Sequence, residues 1–143
     1  MTSSKPKVYL TRIESFSAAH RLHSNQLSDE ENVKLYDKCN NANGHGHNYK
    51  LEVTVRGHVN ASNGMVMNIS DMKVLIKQKV LDLLDHKSID LDVEHFKSNK
   101  LPSTAENIAL FIWSQLVDSL PSQVELHSVK LHETDKNIVE IKL

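Results

Sequence analysis

His45-Gly46-His47 is the triplet of this chain with the plainest chemical meaning. In an extended segment, residues two apart project to one face, so both imidazoles can reach a single ion. A third nitrogen ligand is available in Phe16-Ser-Ala-Ala-His20, with His23 close behind as a competitor for the same role. If the two segments pair as strands, the end of the first lies beside the start of the second, and His20 comes near His45. Three histidines with an open fourth position make a catalytic zinc site. Cys39, the only cysteine, then has two readings. As a fourth ligand it would close the site into a structural staple; off the metal it would be available as a base.

A second constellation is Leu84-Asp85-His86-Lys87. A carboxylate beside an imidazole can hold its tautomer and stabilise its charged form. Adjacent residues on a helix do not face each other, and a cation near the last carbonyls also suits a helix end, so this tetrad has a structural reading as well. Glu133, in His132-Glu133-Thr134, reads as a strand end. Ser103 and Glu106 have the spacing of a capping box, which accounts for Glu106 without any ligand.

The elements that must position these residues follow from periodicity. Val8 to Phe16 reads as a strand, and Ser24 to Asn43 as a long polar excursion of the kind that is usually functional or disordered. After it comes a clean alternation, with Tyr49, Leu51, Val53, Val55 and Val59 on one face and Lys50, Glu52, Thr54, Arg56 and His58 on the other. Asn63-Gly64 marks a turn. Ser70 is the expected N-cap of a helix whose apolar stripe is Met72, Leu75, Ile76, Val80, Leu83 and Leu84. A second helix starts near Pro102-Ser103, buries Ile108, Ala109, Ile112, Leu116 and Leu120, and ends at Pro121. Strands at about Val124 to Glu133 and Ile138 to Leu143 close the chain, joined at Asp135-Lys136-Asn137. The expected fold class is α+β: a four-stranded antiparallel sheet with two helices on one face, in the order ββααββ. Such a sheet leaves two edges open, so assembly through the sheet is expected.

Length and composition are consistent with one domain, residues 8–143, behind a polar N-terminal tail, residues 1–7. Net charge is -1 with 17 basic and 18 acidic residues spread along the chain, which gives no electrostatic footprint for nucleic acid or an anionic membrane. The N-terminal residues lack the apolar stretch of a signal peptide, and a lone cysteine excludes an intrachain disulfide, so the cytoplasm is the expected compartment. Nine histidines raise the prior for metal chemistry.

Together these segments resemble the 6-pyruvoyl-tetrahydropterin synthase family. The matching pieces are Phe16-Ser-Ala-Ala-His20, Cys39-Asn-Asn-Ala-Asn-Gly-His-Gly-His-Asn-Tyr49, Gly64-Met-Val-Met-Asn68, Leu84-Asp-His-Lys87, Ser103-Thr-Ala-Glu-Asn107 and His132-Glu-Thr134, in the family's order and at similar spacings. The resemblance implies the tunnelling fold, with three subunits joining sheets into a barrel and two rings stacking into a homohexamer, a dimer of trimers with active sites between subunits. It implies one zinc per subunit on His20, His45 and His47, with Cys39 as general base. Asp85 and His86 would activate or relay protons with it, Glu133 would anchor the pterin, and Thr104 and Glu106 would line its pocket. The implied reaction converts 7,8-dihydroneopterin triphosphate to 6-pyruvoyl-tetrahydropterin with loss of triphosphate, a step of tetrahydrobiopterin biosynthesis. It needs no nicotinamide or flavin, in keeping with a chain that carries no G-x-G-x-x-G.

The related 6-carboxytetrahydropterin synthases share this residue set but typically place three residues between the cysteine and the H-G-H. Here there are five, Asn40 to Gly44, which favours the pyruvoyl activity. Relatives that make 6-hydroxymethylpterin lack the cysteine. A zinc hydrolase lacks its usual H-E-x-x-H glutamate here, and a zinc-stabilised non-catalytic module is the remaining alternative. Arg21, His23 and Lys38 are near enough in sequence to the motifs to be considered for the triphosphate.

Overall fold

The computed structural model describes residues 5–143; residues 1–4, most of the expected tail, lie outside the described residues. Five strands form one sheet: β1 (Val8–His20), β2 (His45–Gly57), β3 (Lys87–Ser88), β4 (Glu125–His132) and β5 (Ile138–Lys142), in the spatial order β3-β1-β2-β4-β5. The four long strands pair antiparallel, whereas β3 adds a short parallel pairing, Ala18 with Lys87 and Ala19 with Ser88. The four-stranded expectation is therefore corrected to five. A two-residue strand has no period to read.

β1 runs four residues beyond the expected Phe16, because its pairing with β2 continues to the His20–His45 register. β2 ends at Gly57, so Val59 lies past the strand and is exposed rather than on its core face. The core face collects Phe16, Ala18 and His20 from β1 with Tyr49, Leu51, Val53 and Val55 from β2. A register shift against Thr54 and Val55 makes His127 the extra residue of β4, and it lets Leu126 and Val129 both turn toward the core.

Helices cover that face. α1 (Asp29–Tyr36) and a 3₁₀ turn (Asp37–Asn40) occupy the segment expected to be an excursion. α1 has a complete capping box between Ser28 and Glu31, a signal present in the sequence as Ser-x-x-Glu. Buried Asn32 ties this segment together by accepting from the Ser24 N–H and donating to the carbonyls of Ser24, Leu27 and Ser28. α2 (Ile69–Ile76), a π-helical turn (Lys77–Leu81) and α3 (Asp82–Leu84) form the first expected helix. Its cap is Asn68, whose side chain accepts from the Ser70 N–H, not Ser70 itself. Met72, Ile76, Val80 and Leu84 are buried, whereas Leu83 is exposed. Three successive four-residue steps would drift about 120° around a regular helix; the wider π turn takes back part of that drift and keeps the four on one face.

Two short helices, α4 (Ile89–Asp92) and α5 (Glu94–Asn99), lead to α6 (Ala105–Leu116). α6 is capped by Thr104, whose Oγ1 accepts from the Asn107 N–H at 3.2 Å, so the expected Ser103–Glu106 box does not form. It stops at Leu116, before Pro121. Ile108, Ala109, Ile112 and Leu116 join the same core as Leu51, Val53 and Leu131. Full burial of a large aliphatic side chain contributes about 1.5–3 kcal/mol, so this layer anchors both strands that carry histidines.

The opposite face of the sheet carries polar pairs beside the exposed side chains of Tyr9 and Ile13. Thr11 and Thr54 meet at 2.7 Å, Glu52 pairs with His132 at 2.5 Å, Arg56 with Glu125 at 3.1 Å, and Ser128 with Glu140 at 2.8 Å. Among the described residues, no helix is long and apolar enough to cross a membrane.

Candidate metal centre and catalytic site

The β1–β2 register sets His20 directly opposite His45 and Ala18 opposite His47. All three imidazoles fall on the core-facing side, with ring centroids 4.7, 4.9 and 5.2 Å apart. One nitrogen from each lies within 4.8 Å of the others, a spacing that fits a single ion. Gly44 makes this approach possible. Its φ is +76°, and a Cβ there would stand 2.9 Å from the His20 carbonyl oxygen. Phe16 stacked on Tyr49, with ring centroids 4.8 Å apart, forms the apolar floor next to the triad.

The donor set also fits a metal in its hydrogen bonding. His20 is 2 % exposed, and its Nδ1 donates to the Ser103 carbonyl at 2.7 Å. That bond fixes the tautomer and leaves the Nε2 lone pair available. Nε2 of His20 and both ring nitrogens of His45 are buried with no protein partner. Buried polar atoms are normally satisfied, so a cluster of orphaned nitrogens converging on one point is what a ligand set looks like without its ion. Burial is the leading cause that lowers the pKa of His45 and of His47; the neighbouring imidazoles add to it and the charge of Glu133 opposes it. Both rings are thereby kept in the neutral form that can bind a metal.

His23 points elsewhere: its Nδ1 lies 3.1 Å from the Asn40 side-chain nitrogen, outside the cluster. Cys39 is half-buried in the 3₁₀ turn, where its carbonyl accepts from the Leu22 N–H at 2.9 Å. Its sulfur is not among the converging ligand atoms, so the described residues assemble three histidines without the fourth ligand of a closed staple.

Asp85 and His86 do meet, and the reason is that neither is helical. α3 ends at Leu84, Asp85 is extended, and His86 takes a left-handed φ of 62°. Asp85 Oδ1 accepts from His86 Nδ1 at 3.0 Å and from the Ser17 N–H at 2.9 Å, while the His86 N–H donates to the Ser17 carbonyl at 2.6 Å. The Ser17 N–H is the main cause that holds the Asp85 carboxyl below its usual range. His86 and His47 line one open groove of ≈ 420 Å³, which brings the pair to the edge of the histidine cluster.

Glu133 follows β4 and is bound through its N–H to the Asn137 carbonyl at 3.0 Å. Its charge reaches His45, His47 and Tyr49. Burial above all, then Glu133 and Asp90, pushes the Tyr49 phenol up. Thr104 is occupied as the α6 cap, and Glu106 is exposed in the first turn of that helix. Neither lines the cavities that touch the histidines.

Two residues to which the sequence assigned no part in the site help build it. The Ser103 carbonyl orients His20, and buried Asn40 holds Arg21, Leu22 and His23. Asn40 stands beside Cys39 in sequence, but its role is a long-range contact with no periodic signature.

A family model described as 6-pyruvoyl tetrahydropterin synthase matches residues 9–143. The chain belongs to the 6-pyruvoyl tetrahydropterin synthase family. It is 53% identical over 131 residues to the 6-pyruvoyl tetrahydrobiopterin synthase of Poecilia reticulata, covering 92% of this chain and 87% of that protein. The solved structure of the Caenorhabditis elegans 6-pyruvoyl tetrahydropterin synthase superposes with a TM-score of 0.90 at 45% identity, covering 99% of each chain. A 6-carboxy-5,6,7,8-tetrahydropterin synthase of Haemophilus influenzae is more distant, 34% identical over 121 residues that cover 72% of this chain and 83% of that protein. Family membership and the α+β architecture thus agree, and the fifth strand and extra short helices are details within that fold.

Proposed function

We propose that the chain is a zinc-dependent lyase converting 7,8-dihydroneopterin triphosphate to 6-pyruvoyl-5,6,7,8-tetrahydropterin with loss of triphosphate, in tetrahydrobiopterin biosynthesis. The observation that carries this reading is the convergence of His20, His45 and His47 with orphaned buried nitrogens, in a chain of this family. One ion per subunit would be held by these three residues and would supply Lewis acidity at the substrate's side-chain hydroxyls. Glu133 binds the amino-pyrimidinone edge of the pterin through two parallel N–H bonds, which fixes orientation as well as affinity. Thr104 and Glu106 belong to the same pterin pocket. Cys39 Sγ takes up a carbon-bound proton, and Asp85 orients His86 so that Nε2 of the imidazole can move a proton. The side chain is oxidised as the ring is reduced, so no external redox cofactor takes part.

His86 stands 83% exposed, and the sheet ends in β3 and β5 as open edges. Both features favour a site completed between subunits of a homohexamer built as a dimer of trimers, working in the cytoplasm on a small-molecule substrate, without nucleic acid or membrane.

A 6-carboxytetrahydropterin synthase would use the same residue types, and the Haemophilus relative keeps that reading in view. The five residues between Cys39 and His45 favour the pyruvoyl activity. Incubation of the zinc-loaded protein with dihydroneopterin triphosphate should yield inorganic triphosphate and the pyruvoyl product by mass spectrometry. A carboxy or hydroxymethyl product would overturn the assignment.

A further inference from the structure

We propose that the cavity of ≈ 340 Å³ bounded by His20 is a polyphosphate subsite, which holds the triphosphate of the substrate as it leaves. This assignment rests on the lyase reading above.

Three cations line the cavity, Arg21, Lys97 and Lys100, against one carboxylate, Asp90, with His23 and Asn43 as further polar groups. The cavity wall therefore carries a charge of +2 (three minus one, His23 neutral) on a chain whose net charge is -1. Concentrating one sign of charge in a concave site raises the local concentration of an oppositely charged ligand. Asp90 is itself engaged, accepting from the Arg21 N–H at 2.7 Å.

Part of this wall is built in advance. Asn40, 7 % exposed, accepts from Arg21 Nε through its carbonyl at 2.8 Å and from Nη2 through its side chain at 3.5 Å. The same side chain donates to the Leu22 carbonyl at 2.7 Å and lies 3.1 Å from His23 Nδ1. A guanidinium has five N–H donors; Asn40 takes two, and the others remain for a ligand in a fixed orientation. The lysines come from the opposite side, at the C-terminal end of α5, where Lys100 is the left-handed cap whose N–H returns to the Phe96 carbonyl.

Two cavities beside the histidine cluster differ in charge. The groove beside His47 offers Lys87 as its only Lys or Arg, and Glu133 lines neither cavity. With the ring at Glu133 and the side-chain hydroxyls at the three histidines, the third part of the substrate must extend beyond the cluster. The cavity beside His20 is the one with the charge to receive it. In the elimination a proton on the neighbouring carbon goes to the base, and the C–H electrons form the carbon–carbon double bond. The C–O bond then breaks with its pair on the phosphate oxygen, so the departing group gains one negative charge where three cations wait. Lys38 does not line this cavity, although its charge reaches His45.

The test is equilibrium dialysis of radiolabelled inorganic triphosphate against the zinc-loaded protein, with zinc content measured afterwards, paired with the KM for the pterin triphosphate. Replacing both exposed lysines, Lys97→Ala with Lys100→Ala, should weaken triphosphate binding about tenfold and raise KM similarly. Affinity for dihydroneopterin, which has no phosphate, should not change. A control with Lys73→Ala and Lys142→Ala, equal in charge but elsewhere, should leave both constants alone. Equal loss in the control, or no loss in the cavity variant, overturns the subsite. Wild-type protein that binds triphosphate through these lysines but leaves the pterin unconverted would instead sink the lyase reading and keep the anion site. Pterin conversion with unaltered constants in the cavity variant would do the reverse.

Discussion

The end of the sheet that carries the three histidines and the turn that carries Asp85 and His86 are built in opposite ways. His20, His45 and His47 stand on two long paired strands, over a stacked Phe16–Tyr49 floor, with nitrogens of His20 and His45 buried and unpartnered. Asp85 and His86 stand in a non-helical turn held to β1 by two hydrogen bonds at Ser17, and the His86 side chain is 83% exposed. The first arrangement is complete within one chain. The second is oriented but open, as suits a group whose partner arrives from substrate or another subunit. Rigid strands give ligand precision, whereas a turn gives a proton carrier room to move.

Breaking the buried region should have the larger consequence. His45→Ala removes one of three ligands, so bound zinc should fall from one per subunit to near none, and turnover with it, while far-UV circular dichroism stays near normal. Metal retained at full occupancy would mean that another residue completes the set. Should His23→Ala strip the metal while His20→Ala leaves it, the third ligand is misassigned.

Glu133→Ala tests the region next to both. Loss of the proposed bidentate charged contact should weaken pterin binding by about 2–5 kcal/mol in titration calorimetry, with zinc content unchanged. Unaltered affinity would return Glu133 to a solvated strand end. In the open turn, Asp85→Asn keeps the shape but loses the charge that orients His86. Turnover should fall by about 10²-fold with little change in KM or melting temperature. A variant as active as the wild type would leave the pair with no part in proton movement.

The smallest expected effect belongs to the hinge between β1 and β2. Gly44→Ala forces a side chain into a left-handed position and against the His20 carbonyl. A cost of about 1–3 kcal/mol in chemical denaturation should follow, with weakened zinc affinity as the two strands part. An unchanged midpoint would show that the strand ends are held by the pairing alone.

How much of this could be read beforehand depended on the range of the interaction. The alternation through Tyr49 to Val55 and the H-x-H before it share a period of two, so strand and ligand geometry were legible together. α1 went unread: Ser28 and Glu31 frame its start, but the polar segment around it hid its weak amphipathicity. Adjacent Asp85 and His86 could not be paired from sequence. Their contact depends on a left-handed residue and on Ser17, sixty-eight positions from Asp85. The capping of α6 moved by one residue because Ser103 is buried and gives its carbonyl to His20 instead, a tertiary demand that overrides a local motif. The π turn and β3 likewise answer to packing rather than to propensity.

The central claim is that the three histidines form an open metal site serving catalysis, with Cys39 off the metal. Zinc content and turnover measured together on Cys39→Ala test it most directly. The variant should keep close to one zinc per subunit, hold its stability within about 1 kcal/mol, and lose turnover by about 10²–10⁴-fold. A variant that loses its zinc and unfolds with it would contradict the claim and make the site a structural one.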